Sequence, residues 1–128
     1  AKSSLVGRLP AFDADAMLLN MGQDLSIVGE LLPPALDDLL SDAIRLGERI
    51  AEGDSVTAGR LSHTLKSLTA TFGGKAASAL ACDINRLVLA DSLDAAAARH
   101  VELMAALDAM RQGAGGWLAR FPTRHDAS

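Results

Sequence analysis

The sequence predicts an all-α protein: an antiparallel four-helix bundle in up-down-up-down order, with a short extra helix at its N-terminal end. Three observations predict this fold. Ala and Leu are abundant and aromatic residues make up only 3% of the 128 residues, a composition that favours helices over strands. Apolar residues recur at spacings of three and four, which marks one buried helical face. Only short turns separate these stretches, as expected for antiparallel neighbours in a bundle.

The first two helices are predicted from their start and stop residues. Asp13 is a good N-cap for a short helix that ends near Gly22, because its carboxylate can accept from free N–H groups of the first turn. Asp24 opens a long helix to about Glu52. Pro33-Pro34 lie inside it and predict a kink or a helix restart. The apolar face of this helix comprises Leu32, Leu36, Leu40, Ala43, Gly47 and Ile50.

The next two helices flank a glycine turn. Asp54 or Ser55 caps a helix that runs to Phe72, and Gly73-Gly74 form the turn after it. A following helix is predicted from about Lys75 to Ala90. Its inward residues are expected to be Ala77, Leu80, Ile84 and Leu87.

The last helix is predicted from about Leu93 to Arg111, with a turn and cap over Asp91 to Asp94 before it and Gly113 to Gly116 breaking it. Three residues beyond the glycines are expected to fold back as a short apolar anchor: Trp117, Leu118 and Phe121.

Domain organisation and composition indicate one excised module. Residues 1–9 are interpreted as a linker or an expression remnant, 10–121 as the bundle and 122–128 as a flexible tail, because the chain starts with Ala1 rather than Met. The net charge of −4 argues against nucleic-acid binding. The single cysteine, Cys82, suits a reducing compartment, and neither a signal peptide nor a membrane-spanning apolar run is visible. A cytoplasmic domain without membrane contact is therefore expected.

One histidine lies on the polar face of the helix that follows Asp54. Leu61, Leu65, Leu68 and Phe72 are interpreted as its buried face, since at ~100° per residue they cluster within about 60°. His63 falls about 200° from Leu61, so it is expected to point to water.

The neighbours of His63 at helical spacing are unusually small or cationic. They are Gly59, Arg60, Lys66, Ser67 and Ala70. An exposed helix face usually carries bulky polar side chains, whereas these residues would leave a low platform that another protein can approach closely.

This setting suits a phosphoryl acceptor. An exposed imidazole offers a nucleophilic nitrogen, and phosphoryl transfer needs mainly in-line approach and charge compensation. Arg60 and Lys66 could supply the compensation, worth roughly 3 kcal/mol per charge pair at most at ~6 Å and an effective dielectric of ~20. That can tune a transfer equilibrium but cannot drive ATP chemistry. Gly73-Gly74-Lys75 is followed by Ala76 and does not form a nucleotide-binding P-loop.

The run His63-Thr64-Leu65-Lys66-Ser67, followed by Phe72-Gly73-Gly74, resembles the His-x-x-Lys-Gly signature and following turn of histidine phosphotransfer domains in bacterial two-component phosphorelays. The resemblance covers about residues 10 to 112. It extends to three further segments: Phe12-Asp13, Met21-Gly22-Gln23-Asp24 and Ala51-Glu52-Gly53-Asp54.

The resemblance implies that His63 is phosphorylated through Nε2 and that Lys66 stabilises the phosphate. The partner would be a receiver (response-regulator) domain, which supplies its own aspartate and a Mg²⁺, so the chain itself needs no cofactor. Ser67 stands where the family usually has Gly, and its hydroxyl could bond the phosphate. Asn85 stands where an acidic residue is common, and both departures bear on receiver specificity.

The docking surface expected around His63 comprises Gly59, Ala70, Leu31 and Lys75, with Leu31 as part of a candidate apolar patch. No metal site is expected, since Cys82 and the histidines lack paired ligand spacing. Cys82 is interpreted as a semi-buried packing residue, His100 as structural or solvated, and His125 as part of the tail.

Two other classes stay open. The chain could be a non-catalytic helical interaction or adaptor bundle in which His63 is never phosphorylated. It could also be the dimerising phosphoacceptor domain of a sensor kinase, although Thr64 stands where that class typically has Glu or Asp. The carrier hypothesis predicts a monomer without an ATP site of its own. It leaves open a free-standing shuttle, or the cytoplasmic module of a membrane-bound hybrid sensor kinase.

Overall fold

The computed structural model describes residues 8–120, and over that range it contains five helices and no strand. The helices are α1 (Ala14–Asn20), α2 (Leu25–Ala51), α3 (Ser55–Thr71), α4 (Lys75–Leu89) and α5 (Leu93–Arg120). The predicted all-α class and the short extra N-terminal helix are thereby confirmed. Most of the predicted linker, the whole predicted tail, Phe121 and His125 lie outside the described residues.

Local side-chain chemistry starts the first three helices where the sequence predicted. The carboxylates of Asp13, Asp24 and Asp54 each accept a hydrogen bond from a backbone N–H two or three residues further on, at 3.0 to 3.1 Å. Such bonds satisfy N–H groups that have no partner inside the helix. Asp54 is therefore the cap of α3, and Ser55 is its first helical residue.

The predicted restart at Pro33-Pro34 is wrong, because α2 runs unbroken through both prolines. Each proline removes one backbone donor, but the two rings lie at exposed positions. The residues on either side of them, Leu32 and Leu36, are both buried in the core. Apolar packing before and after the prolines holds the helix in one piece, since most helical stability in proteins comes from such packing.

The predicted break at Gly113 to Gly116 is also wrong, because α5 continues to Arg120. Ala114 and Trp117 extend, at the same spacing, the series of buried residues Leu103, Leu107 and Met110. The Trp117 ring meets Phe12 edge-on, with ring centroids 6.2 Å apart. A side chain at Gly113 would come within 2.9 Å of the Phe12 Cβ. Close packing against the N-terminal segment thus outweighs the low helix propensity of glycine.

Each long helix packs against the next one in the chain, and the last packs against the first. α2 contacts α3, α3 contacts α4, α4 contacts α5, and α5 contacts α2. Gly59 near the start of α3 meets Asn85 near the end of α4, while Lys66 further along α3 meets Ser78 near the start of α4. The core lies between these helices, and the outer face of α3 is exposed to solvent. Nowhere in residues 8–120 is a helix long and apolar enough to cross a membrane.

Candidate functional site

The buried face of α3 is shifted from the predicted one. Leu65 and Phe72 are buried as expected, but Leu61 is only half-buried and Leu68 is 36% exposed. Ser62 and Thr69 take the central positions instead, both fully buried. Their hydroxyls donate to carbonyls one turn earlier, Ser62 to Gly59 at 3.1 Å and Thr69 to Leu65 at 2.6 Å. Bonding within their own helix lets these polar residues enter the core.

His63 is exposed on the outer side of α3, as its helical phase predicted. It lines an open groove between α3 and α4. Residues of α3 form most of that groove, namely Ser55, Val56, Gly59, Arg60, His63 and Thr64, and α4 contributes Val88 and Leu89. We call this the histidine groove. It places the imidazole beside one cation, with aliphatic side chains around it.

Asn85 of α4 fixes the helical turn that carries His63. Its side-chain amide donates to the carbonyl oxygen of Gly59 at 3.0 Å and to the hydroxyl oxygen of Ser62 at 3.1 Å. Gly59 lies one turn before His63, and Ser62 is the residue next to it. In the sequence, Asn85 stands out only as a departure from the pattern of histidine phosphotransfer domains. Its contact with α3 was missed because it depends on how the two helices pack.

Lys66 lies in a second open groove further along the same two helices. That groove is lined by Leu9, Ala16, Asn20, Lys66, Ala70, Lys75, Ser78, Ala79 and Cys82. The structure thus brings Gly59 and Arg60 together with His63, and places Lys66, Ala70 and Lys75 in the neighbouring groove. Ser67 and Leu31 are both exposed but line neither groove.

Lys75, predicted as a docking residue, has a partner within the molecule. Its ammonium lies 2.9 Å from the carboxylate of Asp13, the cap of α1. The hydrogen bond from Lys75, helped by the backbone N–H of Ala16, holds the pKa of the Asp13 carboxyl below its usual value. The backbone N–H of Asp13 also donates to the carbonyl of Gly73 at 2.8 Å. Lys75 therefore helps to fasten the start of α1 to the α3–α4 turn.

Neither His100 nor Cys82, the remaining candidate metal ligands among the described residues, belongs to a metal-binding group. His100 is half-buried, and its Nε2 lies 2.7 Å from the carbonyl oxygen of Ala43, so it packs α5 against α2. Its ring fills the space above Gly47, where a Cβ would lie 2.5 Å from it. Cys82 is half-buried. Within residues 8–120, no three His, Cys, Asp or Glu side chains come together as a metal-binding group.

Comparison of the chain with protein-family models, with curated proteins and with solved structures finds no match.

Proposed function

We propose that the protein is a histidine phosphotransfer domain, in which His63 accepts a phosphoryl group from the aspartyl phosphate of a receiver domain and returns it to another. The observation that carries this proposal is the exposed imidazole of His63, which lines an open groove on a helix whose opposite side is in the core. A protein-sized donor can reach such a nitrogen, whereas a buried histidine would exclude it.

The transfer step requires little from this chain beyond position. The lone pair of Nε2 attacks the phosphorus while the bond from phosphorus to the aspartate oxygen breaks, and the carboxylate leaves with that electron pair. The ring keeps its proton on Nδ1, so no proton has to move during the step. An imidazole nitrogen exposed on a rigid helix can meet the in-line geometry of this displacement.

Two cations flank the imidazole at helical spacing. Arg60 lines the histidine groove itself, and Lys66 lies one turn further along α3. Either can offset charge on the transferred group, by about 1 kcal/mol or less at an exposed position. The Mg²⁺ that the family requires would be held by the partner's carboxylates, and we assign no ligand of it to this chain.

The arrangement of the helices supports the full proposal of an antiparallel four-helix bundle. The contacts between α3 and α4 join early residues of one helix to late residues of the other, as in an antiparallel pair. The same order links α2 with α5: Ala43 meets His100, whereas Leu36, earlier in α2, shares a small pocket with Leu107. Four such helices bury their apolar faces within one chain, which fits a monomer acting in the cytoplasm, alone or within a hybrid kinase.

Transfer from a phosphorylated receiver tests the proposal. A panel of purified receiver domains, each phosphorylated by acetyl phosphate with Mg²⁺, is incubated with this chain, and the label on the chain is followed over seconds to minutes. At least one receiver should label it, and His63→Gln should abolish the label. His125→Gln, the matched change in the predicted tail, should leave it intact. Undiminished labelling of the His63→Gln variant would remove His63 from the mechanism.

A second candidate function is a binding module without phosphoryl chemistry. Exposed aliphatic side chains lie beside His63 in the histidine groove, and a purely interacting bundle would also present such a surface. The two functions differ in one observable. A binding module would hold a partner equally well with His63→Gln and would take up no label.

A further inference from the structure

We propose that the histidine groove is the docking surface for the receiver, and that it accepts an acidic partner face bearing an apolar ridge. This inference rests on the proposed function and adds which side of His63 the partner covers. The sequence predicted a docking surface of Gly59, Ala70, Leu31 and Lys75, and of these only Gly59 lines the histidine groove.

The first support is aliphatic exposure at the groove. Val56 of α3 is 71% exposed and Leu89 of α4 is 74% exposed, and both line the groove that contains His63. Single exposed aliphatic residues are common on protein surfaces. Here two of them, from different helices, lie in the same depression as the one side chain proposed to react.

The second support is the low surface of the groove at Gly59, between Val56 and Leu89. Gly59 has no side chain, and a Cβ built there would meet only Leu89 and Val88, at 3.9 and 4.0 Å. The space beside His63 is therefore open enough for a partner's side chain to lie close to α3. A larger residue at this position would raise the surface directly alongside the imidazole.

The third support is the distribution of charge, which differs between α3 and α2. The 17 residues of α3 include the cations Arg60 and Lys66 but no carboxylate. By contrast, α2 contains five carboxylates and two arginines, a balance of −3. The carboxylates of α2 are Glu30, Asp37, Asp38, Asp42 and Glu48. In a chain of net charge −4, α3 is thus a cationic strip.

These cations are also available to a partner. Among residues 8–120, neither Arg60 nor Lys66 forms an ion pair. Five other arginines of the helices each lie within 4.0 Å of a nearby carboxylate: Arg45, Arg49, Arg86, Arg99 and Arg111. Unpaired cations beside apolar side chains favour an acidic surface, since complementary charge steers encounter and fixes orientation.

The partner's own chemistry meets this requirement. Transfer to His63 needs an aspartate carboxylate, and the further carboxylates that hold Mg²⁺ around it, to face α3. On the α2 side, Glu30 next to Leu31 would repel that acidic face. The histidine groove combines Arg60 with aliphatic contact, and Lys66 follows one turn further along α3, so we assign the receiver to this side.

The test compares two sources of the phosphoryl group. Phosphoramidate is a small donor that reaches His63 without docking, whereas a phosphorylated receiver must dock. Leu89→Glu adds a carboxylate to the groove and should lower kcat/KM for transfer from the best receiver of a panel by at least about tenfold, equal to about 1.4 kcal/mol. Labelling by phosphoramidate should fall far less, because this donor needs no docking surface. Val101→Glu on α5, a residue 70% exposed, is the matched control and should alter neither rate.

Several results would overturn the inference. If Leu89→Glu accepts phosphoryl groups from the receiver at the wild-type rate, the receiver does not cover the groove. If only Leu31→Glu lowers kcat/KM for this transfer, docking takes place on α2. Equal loss of both labels in Leu89→Glu would show damage to His63 rather than to docking. A stable dimer that Leu89→Glu dissociates would assign the groove to a second copy of this chain. Failure of the wild type with both donors would instead refute the proposed function.

Discussion

Asn85→Ala tests how the turn that carries His63 is held. The change removes two hydrogen bonds, to the Gly59 carbonyl at 3.0 Å and to the Ser62 hydroxyl at 3.1 Å. At about 0.5–1.5 kcal/mol for each bond, the loss lies between about 1 and 3 kcal/mol. Ser62 still donates to Gly59, so the expected cost is in the lower half of that range, about 1–2 kcal/mol. For a domain of this size, that lowers Tm by roughly 4–8 °C.

The assay is urea unfolding followed by circular dichroism, with Asn20→Ala as a matched control. Asn20 also donates to two backbone carbonyls, at 3.2 and 3.3 Å, but at an exposed position. Its loss should cost less than about 0.5 kcal/mol. Amide exchange adds a local readout, because the N–H of His63 bonds to the Gly59 carbonyl within the helix and should exchange faster in Asn85→Ala. Equal stability of the two variants, with unchanged exchange at His63, would refute the reasoning.

Asn85→Asp separates donation by the amide from mere packing. An ionised carboxylate cannot donate to the Gly59 carbonyl, whereas a protonated one can. The folded state therefore raises the pKa of this new acid, and the deficit in stability should grow as the pH rises above the ordinary aspartate pKa of about 3.9. A deficit that is the same near pH 4 and pH 7 would contradict this account.

Three further predictions concern the turns and the charges. Gly73 has φ +81° and a Cβ there would lie 2.3 Å from the Asp13 carbonyl oxygen, whereas Gly53 has φ +76° and open space around it. In thermal melts, Gly53→Ala should therefore cost about 1–2 kcal/mol of left-handed strain, and Gly73→Ala clearly more. Equal costs would exclude the contact. Because the folded pKa of Asp13 lies below its unfolded value of 3.8, its ion pair with Lys75 stabilises the fold fully above that pH and is lost as pH falls below it. Asp13→Asn should accordingly lose less Tm than the wild type on acidification from about pH 5 to about pH 2.5, and parallel losses would speak against the pair. Lys66→Ala should slow transfer from a receiver by about fivefold, corresponding to about 1 kcal/mol, with unchanged helix content; an unfolded variant would show that Lys66 is structural instead.

The starts of the first three helices were predictable because their causes are local. Asp13, Asp24 and Asp54 bond to N–H groups within three residues, so the sequence alone contains both partners. The course of α5 was not predictable in the same way. Gly113, Gly115 and Gly116 have low helix propensity, and the close packing of Gly113 and Trp117 on Phe12, from the other end of the chain, helps to keep this stretch helical.

The candidate site likewise has features that were predictable from one helix and features that depend on packing between helices. The exposure of His63 follows from its phase relative to Leu65 on one helix, which a periodic sequence reveals. Its groove does not, because Val88, Leu89 and Asn85 come from α4 and reach α3 only after packing. Hydroxyl residues also misled the prediction of the buried face, since Ser62 looks polar in sequence but bonds within its own helix and with Asn85.

Locating a phosphoryl group on the purified chain tests the central claim most directly. The chain is phosphorylated with phosphoramidate or with the best receiver, and the modified atom is identified by phosphorus NMR and by tandem mass spectrometry at neutral pH. We expect one phosphoryl group, attached to Nε2 of His63, stable in base and lost in acid. A chain modified on a different residue, or left unmodified while a known phosphotransfer domain is labelled alongside, would contradict it.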